Sequence, residues 1–347
     1  MASARKTVTT LLKFSISFGI LGFLFYQLGR DQETVAQIRA TEKQWGLLVL
    51  AWWAIFLAAV ITFKRWHLLA SSLGLRFSYR DAMRLGFVGY LFNFLSLGVA
   101  GGDVVKIIFL VQEQAEKRTE AVATVILDRF IGLYSMMLVA TVAMLTVNLD
   151  HPELRDPRLL EGFQMVGTAA VWLTVASTVG IGLIMLPGIM TNSFWDSSAQ
   201  IPLVGSVIFR LISAVRTYRE NKRVLFLAVL MGIGVHALLC VGIFLVARGL
   251  TGACPSLATH FAIIPIANVA NAIPLPGGLG ALELALDAVY NAVSPEEAIR
   301  RQGFIVALGY RVMTLFVAGF GIYFWIVGRK KMSGLVQQAK LEQSAQR

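Results

Sequence analysis

The sequence predicts an all-α, polytopic integral membrane protein with six full spans and two re-entrant helical hairpins arranged as an inverted repeat. Three observations predict it: scarce charge, long uncharged runs, and the distribution of basic loops. Of the 347 residues, 56% are hydrophobic and 15% are charged, and the mean hydropathy is +0.69. A soluble domain carries about a quarter charged residues. Uncharged apolar runs lie at 14–29, 45–63, 85–102, 130–149, 163–195, 224–247, 249–282 and 312–328. A run of about 18 or more apolar residues reads as a spanning helix, because lipid offers the backbone no partner outside its own helix. Several runs reach that length and the rest come close.

The first run, 14–29, follows Arg5, Lys6 and Lys13 as a signal peptide would. It ends in Tyr26-Gln27-Leu28-Gly29-Arg30 without a small-x-small cleavage pattern, and is read as a retained first span. Basic residues favour the cytoplasmic side of a cell membrane. They concentrate at the N-terminus, in 64–84 (Lys64, Arg65, Arg76, Arg80, Arg84), in 188–223 (Arg210, Arg216, Arg219, Lys222, Arg223) and after the last run (Arg329, Lys330, Lys331). Both termini are thereby expected to be cytoplasmic, with 329–347 as a cytoplasmic tail. The mixed-sign stretches 30–43 and 151–161 suit the outer side. The partly amphipathic stretch 193–220 is expected on the cytoplasmic surface.

A single crossing by 85–111 would force 188–223, with its five cations, to the outside. The rule holds if 85–111 enters and leaves from the cytoplasmic side, and if 257–293 does the same from the outer side. Each segment contains a break signal: Gly101-Gly102 in the first, Pro276-Gly277-Gly278-Leu279-Gly280 in the second. Broken helices survive at membrane depth only against protein or water. The order becomes span, span, cytoplasmic hairpin, span, and then the same upside down, with halves 1–149 and 162–328. Inverted repeats of this kind are a recurring transporter plan. Leu127-Asp128-Arg129 and Gly309-Tyr310-Arg311 echo one another after the two breaks.

Eight residues are candidate substrate-binding groups: Asp103, Lys106, Asp128, Arg129, Gly277, Gly278, Glu283 and Arg311. Asp103 and Lys106 share a helix face by their i, i+3 spacing. Glu283 follows the second glycine loop, with Asp287 one turn on. Charge inside hydrocarbon is costly, so such residues pair and face a cavity. Two readings stand: a polar pocket in which Arg129, Arg311 and Lys106 meet an anionic group, or interhelical ion pairs that hold the halves together. The glycine loop is either a tight turn or an anion site built from backbone N–H groups. It lacks the Gly-Lys-Ser/Thr ending of a nucleotide loop. Asn93, Asn268 and Asn271 stand ready to satisfy backbone freed by the breaks.

The formal net charge of +11 does not point to nucleic acid, because the cations sit in short loops beside apolar runs. Lys13, Lys64 and Arg84 are expected to snorkel. Cys240 and Cys254 give no disulfide framework. His236 with Cys240, one turn apart, is too small a set for a metal site, and His260 reads as packing. No metal or cofactor is expected. Trp45, Trp52, Trp53 and Trp66 read as interfacial anchors and packing.

Five stretches together resemble a known family: Phe63-Lys64-Arg65-Trp66-His67-Leu68-Leu69; Asn93 through Gly101-Gly102-Asp103-Val104-Val105-Lys106; Leu127-Asp128-Arg129; Pro274-Leu275-Pro276-Gly277-Gly278-Leu279-Gly280-Ala281-Leu282-Glu283; and Tyr310-Arg311. They resemble the transmembrane region of lysylphosphatidylglycerol synthases and its stand-alone relatives. One departure is Leu97-Gly98-Val99-Ala100, where relatives often place a proline, so the first hairpin is expected to bend less sharply. The resemblance implies a flippase-like role, moving an anionic or aminoacylated membrane phospholipid between leaflets. In the full-length synthases a separate cytoplasmic domain attaches the amino acid. The polar stretches of this chain are short, so it is not expected to be an enzyme, and a separate lipid-modifying enzyme is a candidate partner. The alternatives are an ion-coupled transporter of a small solute and a membrane-embedded lipid-modifying enzyme.

Overall fold

The computed structural model describes residues 19, 21–26, 29, 32–95, 100–113, 117–146, 157–185, 218, 221–272, 275, 279–293 and 302–345. The described residues contain no strand and include a short 3-10 helix, Val269–Ala272, and ten α-helices. These are α1 (Gln32–Ala40), α2 (Trp45–Ser72), α3 (Tyr79–Leu95), α4 (Ala100–Glu113), α5 (Arg118–Thr146), α6 (Pro157–Met185), α7 (Lys222–Thr251), α8 (Leu257–Asn268), α9 (Ala281–Val293) and α10 (Gly303–Ala345). Five stretches are long and apolar enough to cross a membrane: Trp45–Ser72, Glu120–Thr146, Gln164–Leu183, Lys222–Thr251 and Gly303–Val327. The protein is thus a polytopic membrane protein. Within the expected first span at 14–29 the described residues 19, 21–26 and 29 are helical and the others lie outside the described residues, as does 193–220 except for Tyr218. The expected tail from residue 329 continues α10 as helix as far as Ala345.

The centre is the packing of α2 on α7. Without a hydrophobic force between helices in lipid, close approach through small residues takes its place. Gly242 lies against Ile55 and Gly249 against Leu48, so that any side chain at either glycine would press on α2. The buried stripe of α2 runs through Ala51, Ile55, Ala58 and Phe63, and meets Ile243, Val246 and Ala247. At one end of the bundle Lys43 donates to the Leu250 carbonyl at 2.9 Å and Gln44 N–H to the Gly249 carbonyl at 3.0 Å. At the other end Tyr218 donates to the Leu69 carbonyl at 2.8 Å.

Between these ends sit two helical hairpins. The arms α3 and α4 contain 17 and 14 residues, and α8 and α9 contain 12 and 13. At 1.5 Å per residue they measure about 26, 21, 18 and 20 Å, each less than the ~30 Å hydrocarbon core. The first hairpin closes through glycines: a Cβ on Gly102 would collide with the Gly89 carbonyl, and one on Gly89 would lie 3.2 Å from the Gly102 carbonyl. Gly101 and Gly102 therefore belong to the first turn of α4 and not to the break itself, and close approach requires a glycine at 102. Lys117, just beyond α4, donates to the carbonyls of Leu73 and Gly74 at 3.0 and 3.3 Å, so the first hairpin returns to the end where α2 left off. In the second hairpin, His260 near the start of α8 meets Tyr290 near the end of α9 at 2.7 Å. Gly280, at φ +90°, opens α9.

The hairpins cross-pack. The first arm of each lies on the last span of the other half, α3 on α10 and α8 on α5. The second arm of each lies on the span that follows it, α4 on α5 and α9 on α10.

One labelling experiment checks the ends. In a Cys254→Ser background, cysteines at Arg76 and Arg118 are expected to react with a membrane-impermeant thiol reagent from one face, and cysteines at Glu42 and Ala253 only from the other. Reaction of positions 76 and 118 from opposite faces would mean that α3–α4 crosses the membrane.

Candidate functional site

A cavity of about 530 Å³ opens where the two hairpins meet α2, α5, α7 and α10. Its charged lining consists of Arg65, Lys106, Asp128, Arg129 and Arg311. Each arrives there for a local reason. Lys106 lies about one turn beyond the Gly102 contact, on the face of α4 that meets α3. Asp128 and Arg129 are consecutive on α5 and so point about 100° apart, one toward α2 and the other toward α4. Arg311 lies about two turns into α10.

Three carboxylate–arginine pairs organise the charges. Arg129 grips Asp103 with two bonds, Nε to Oδ2 at 2.5 Å and Nη2 to Oδ1 at 2.8 Å. Arg311 meets Glu283 Oε1 through Nε at 2.9 Å and Nη2 at 2.8 Å. Arg65 meets Asp128 Oδ1 at 2.7 Å and donates to the Asp128 carbonyl at 3.2 Å. In the first two pairs the carboxylate stands in the first turn of a hairpin arm and the arginine in the following span, 26 and 28 residues later. Acidic groups are favoured at helix N-termini. Glu283 also accepts the Gly280 N–H at 2.9 Å, as the third helical residue of a capping box does.

The expected residues fare differently. Asp128, Arg129, Lys106 and Arg311 line the cavity. Asp103 and Glu283 stand behind it and hold its arginines. Gly277 and Gly278 lie outside the described residues. Asp287 is not part of the cavity: its carboxylate accepts the Phe304 N–H at 3.2 Å and a bond from Asn291 at 3.2 Å, so it caps the start of α10. Asn93, Asn268 and Asn271 line the cavity, and Asn93 Oδ1 accepts the Gly102 N–H at 2.9 Å, satisfying backbone at the break as expected. Asn271 donates to Asn268 at 3.0 Å.

Two residues went unread from sequence. Arg65 was grouped with loop cations, yet its side chain is only 5% exposed. It stands seven residues after Ala58 and fourteen after Ala51, two buried positions of α2, and this heptad spacing is the signal that marks it as inward-facing. Gly132 and Gly232 make its room: a Cβ at either would sit 3.3 or 3.1 Å from the guanidinium. Its Nη1 has no hydrogen-bond partner among the described residues. Trp66, one of the tryptophans read as anchors and packing, packs fully buried; it donates to Thr124 Oγ1 at 3.3 Å and lies under the Lys106 ammonium at 4.9 Å, a place at the site that the sequence did not show. His236 lines the cavity and donates Nε2–H to the Gly132 carbonyl at 3.0 Å. His260 is packing, as read: Nδ1–H donates to the Ser256 carbonyl and Nε2 accepts from the Tyr290 hydroxyl.

The cavity is not closed evenly. The Arg129 side chain is 45% exposed and that of Arg311 only 13%. Leu133, one turn beyond Arg129 and also lining the cavity, is 48% exposed. Arg129 lies about 16 Å along α5 from Arg118, far from either helix end. The opening therefore reaches the flank of the bundle at mid-span.

Comparison with known protein families gives one match. The family model described as lysylphosphatidylglycerol synthase TM region aligns with residues 10–321. A search of curated proteins finds no match.

The ion pairs make a stability prediction. Arg65→Met leaves Asp128 buried without a counter-charge, a loss of about 3–5 kcal/mol. Adding Asp128→Leu is expected to restore most of it. Thermal unfolding of both single variants and the double variant in detergent checks this, and simply additive losses would contradict it.

Proposed function

Since the chain belongs to the lysylphosphatidylglycerol synthase transmembrane-region family, we propose that it is a lipid translocase, passing phospholipid headgroups between the leaflets of a cell membrane. The observation that carries this reading is the charged cavity that opens sideways at Arg129 and Leu133, at mid-span. A headgroup enters there while its acyl tails stay in hydrocarbon. Its phosphate exchanges water for guanidinium and ammonium donors, which offsets the cost of removing a charge from water. An apolar groove between α5, α7 and α8, lined by Leu138, Val142, Ile233 and Phe261, is suited to a tail alongside.

In this reading 14–29 and the five apolar helices form six spans. The two hairpins enter halfway from opposite faces, and the termini are cytoplasmic. Short arms, paired ends and reciprocal cross-packing support the hairpins. The matched Asp103–Arg129 and Glu283–Arg311 pairs support an inverted repeat of 1–149 and 162–328, with the site where the repeats meet. Movement follows a gradient or simple equilibration, and the chain alters no covalent bond in the lipid. An ion-coupled carrier of a small solute would use the same plan; the opening at mid-span favours a lipid.

Proteoliposomes with acyl-labelled phospholipid and an impermeant quencher test the proposal. Wild type is expected to expose inner-leaflet lipid to quenching. Arg129→Lys and Arg311→Lys, which keep a cation beside each carboxylate but lose the planar donor fork, are expected to slow this at least tenfold while eluting as folded protein, with lipid masses unchanged by mass spectrometry. Quenching independent of protein would overturn the translocase reading, and a changed lipid mass would turn it into an enzyme.

A further inference from the structure

We propose that the cavity selects a lipid headgroup carrying one net negative charge, a phosphodiester without added amines, and that Lys106 is its phosphate contact. The proposal rests on the translocase reading and deepens it. It runs against the substrate that the family's description suggests, because a lysyl ester adds two ammonium groups to the phosphate and leaves the headgroup a net cation.

The argument is one of charge and hydrogen-bond accounting. The site holds four cations, Arg65, Lys106, Arg129 and Arg311, and three carboxylates, Asp103, Asp128 and Glu283. Every carboxylate is hydrogen-bonded to an arginine. Lys106 is left over. Its nearest carboxylate oxygen, Asp103 Oδ1, is 4.0 Å away, beyond hydrogen-bond reach, and already accepts from Arg129. The ammonium rests over the Trp66 ring, which attracts a cation without accepting its N–H bonds in their usual geometry. The Lys106 side chain is 8% exposed, lines the cavity, and has no hydrogen-bonding partner among the described residues. A buried ammonium with three unmet donors is an expensive arrangement. A phosphate monoanion supplies acceptor oxygens to Lys106 and cancels the one excess positive charge.

An aminoacylated headgroup meets the opposite situation. It would bring further positive charge into a site already positive, and its ammonium groups need acceptors. Both oxygens of Asp103 are held by Arg129, Glu283 divides its oxygens between Arg311 and the Gly280 N–H, and Asp128 gives Oδ1 to Arg65, so that among the described residues only Asp128 Oδ2 is left without a donor, too little for two ammonium groups. The neighbouring guanidiniums cannot accept at all. Asn93 and Asn268 line the same cavity, and their amide N–H groups have no acceptor among the described residues, so they too suit a phosphate or glycerol oxygen.

The test compares three acyl-labelled lipids in the same proteoliposomes: phosphatidylglycerol as the monoanion, phosphatidylcholine as the neutral control, and lysylphosphatidylglycerol as the net cation. A fourth arm follows uptake of radiolabelled inorganic phosphate. Phosphatidylglycerol is expected to move at least tenfold faster than lysylphosphatidylglycerol, with phosphatidylcholine between them. Lys106→Gln should remove most of that preference and Lys106→Arg should retain it. Equal or faster movement of the lysyl lipid overturns the selectivity while leaving the translocase reading intact, even if Lys106→Gln fails to fold. A preference unchanged in folded Lys106→Gln overturns the role of Lys106. Phosphate uptake without lipid movement assigns the site to a soluble anion and overturns both.

Discussion

A guanidinium held at mid-depth in a bilayer is tolerable only beside a carboxylate or water, and this chain meets that constraint three times. The pairs Arg129–Asp103 and Arg311–Glu283 each tie the first turn of a broken hairpin to the span that follows it. Arg65–Asp128 ties α2 to α5 across the middle. In the proposed arrangement the hairpin arms are too short to anchor themselves by length, so their depth is set by what they grip. Removing Arg129 or Arg311 would release an arm and strand a charge at once, and removing Arg65 would strand Asp128.

The glycines serve the same arrangement from the backbone side. Gly89 and Gly102 bring α3 and α4 into contact, which swings Lys106 toward the cavity. Gly132 and Gly232 leave the slot that Arg65 fills. Gly242 and Gly249 let α7 lie close on α2. In a membrane interior, where burial of apolar surface gives no drive between helices, such contacts take the place of a hydrophobic core. The charged cavity exists because small residues hold its walls near one another without filling the space between.

Much of this was legible in the sequence. The membrane class followed from long uncharged runs, and pairs of short helices stand where a conflict between loop charge and crossing number puts hairpins. Asp103, Lys106, Asp128, Arg129, Glu283 and Arg311 stood out because charge is rare in such runs. Arg65 was hidden by its neighbours: Lys64-Arg65-Trp66 reads as the basic edge of a span, and only the register of α2, carried forward from Ala51 and Ala58, turns it inward. The place of Trp66 beside the site was hidden for the same reason. Asp287 shares a helix face with Glu283, but one turn along that face lies the start of α10 rather than the cavity, a difference that spacing alone does not carry.

Sequence reasoning left two roles for the charged residues, binding a substrate or fastening helices. The geometry removes the need to choose. A guanidinium has five N–H donors, and a carboxylate gripped bidentately uses two. Arg129 and Arg311 can hold a hairpin arm and still face an incoming anion, since both line the cavity while bonded to a carboxylate behind it. Lys106 touches α2 only through the Trp66 ring and makes no hydrogen bond among the described residues. In the proposed reading the division of labour follows from chemistry: planar, multidentate arginines do the holding, and Lys106, a compact charge on a flexible stem, meets what arrives.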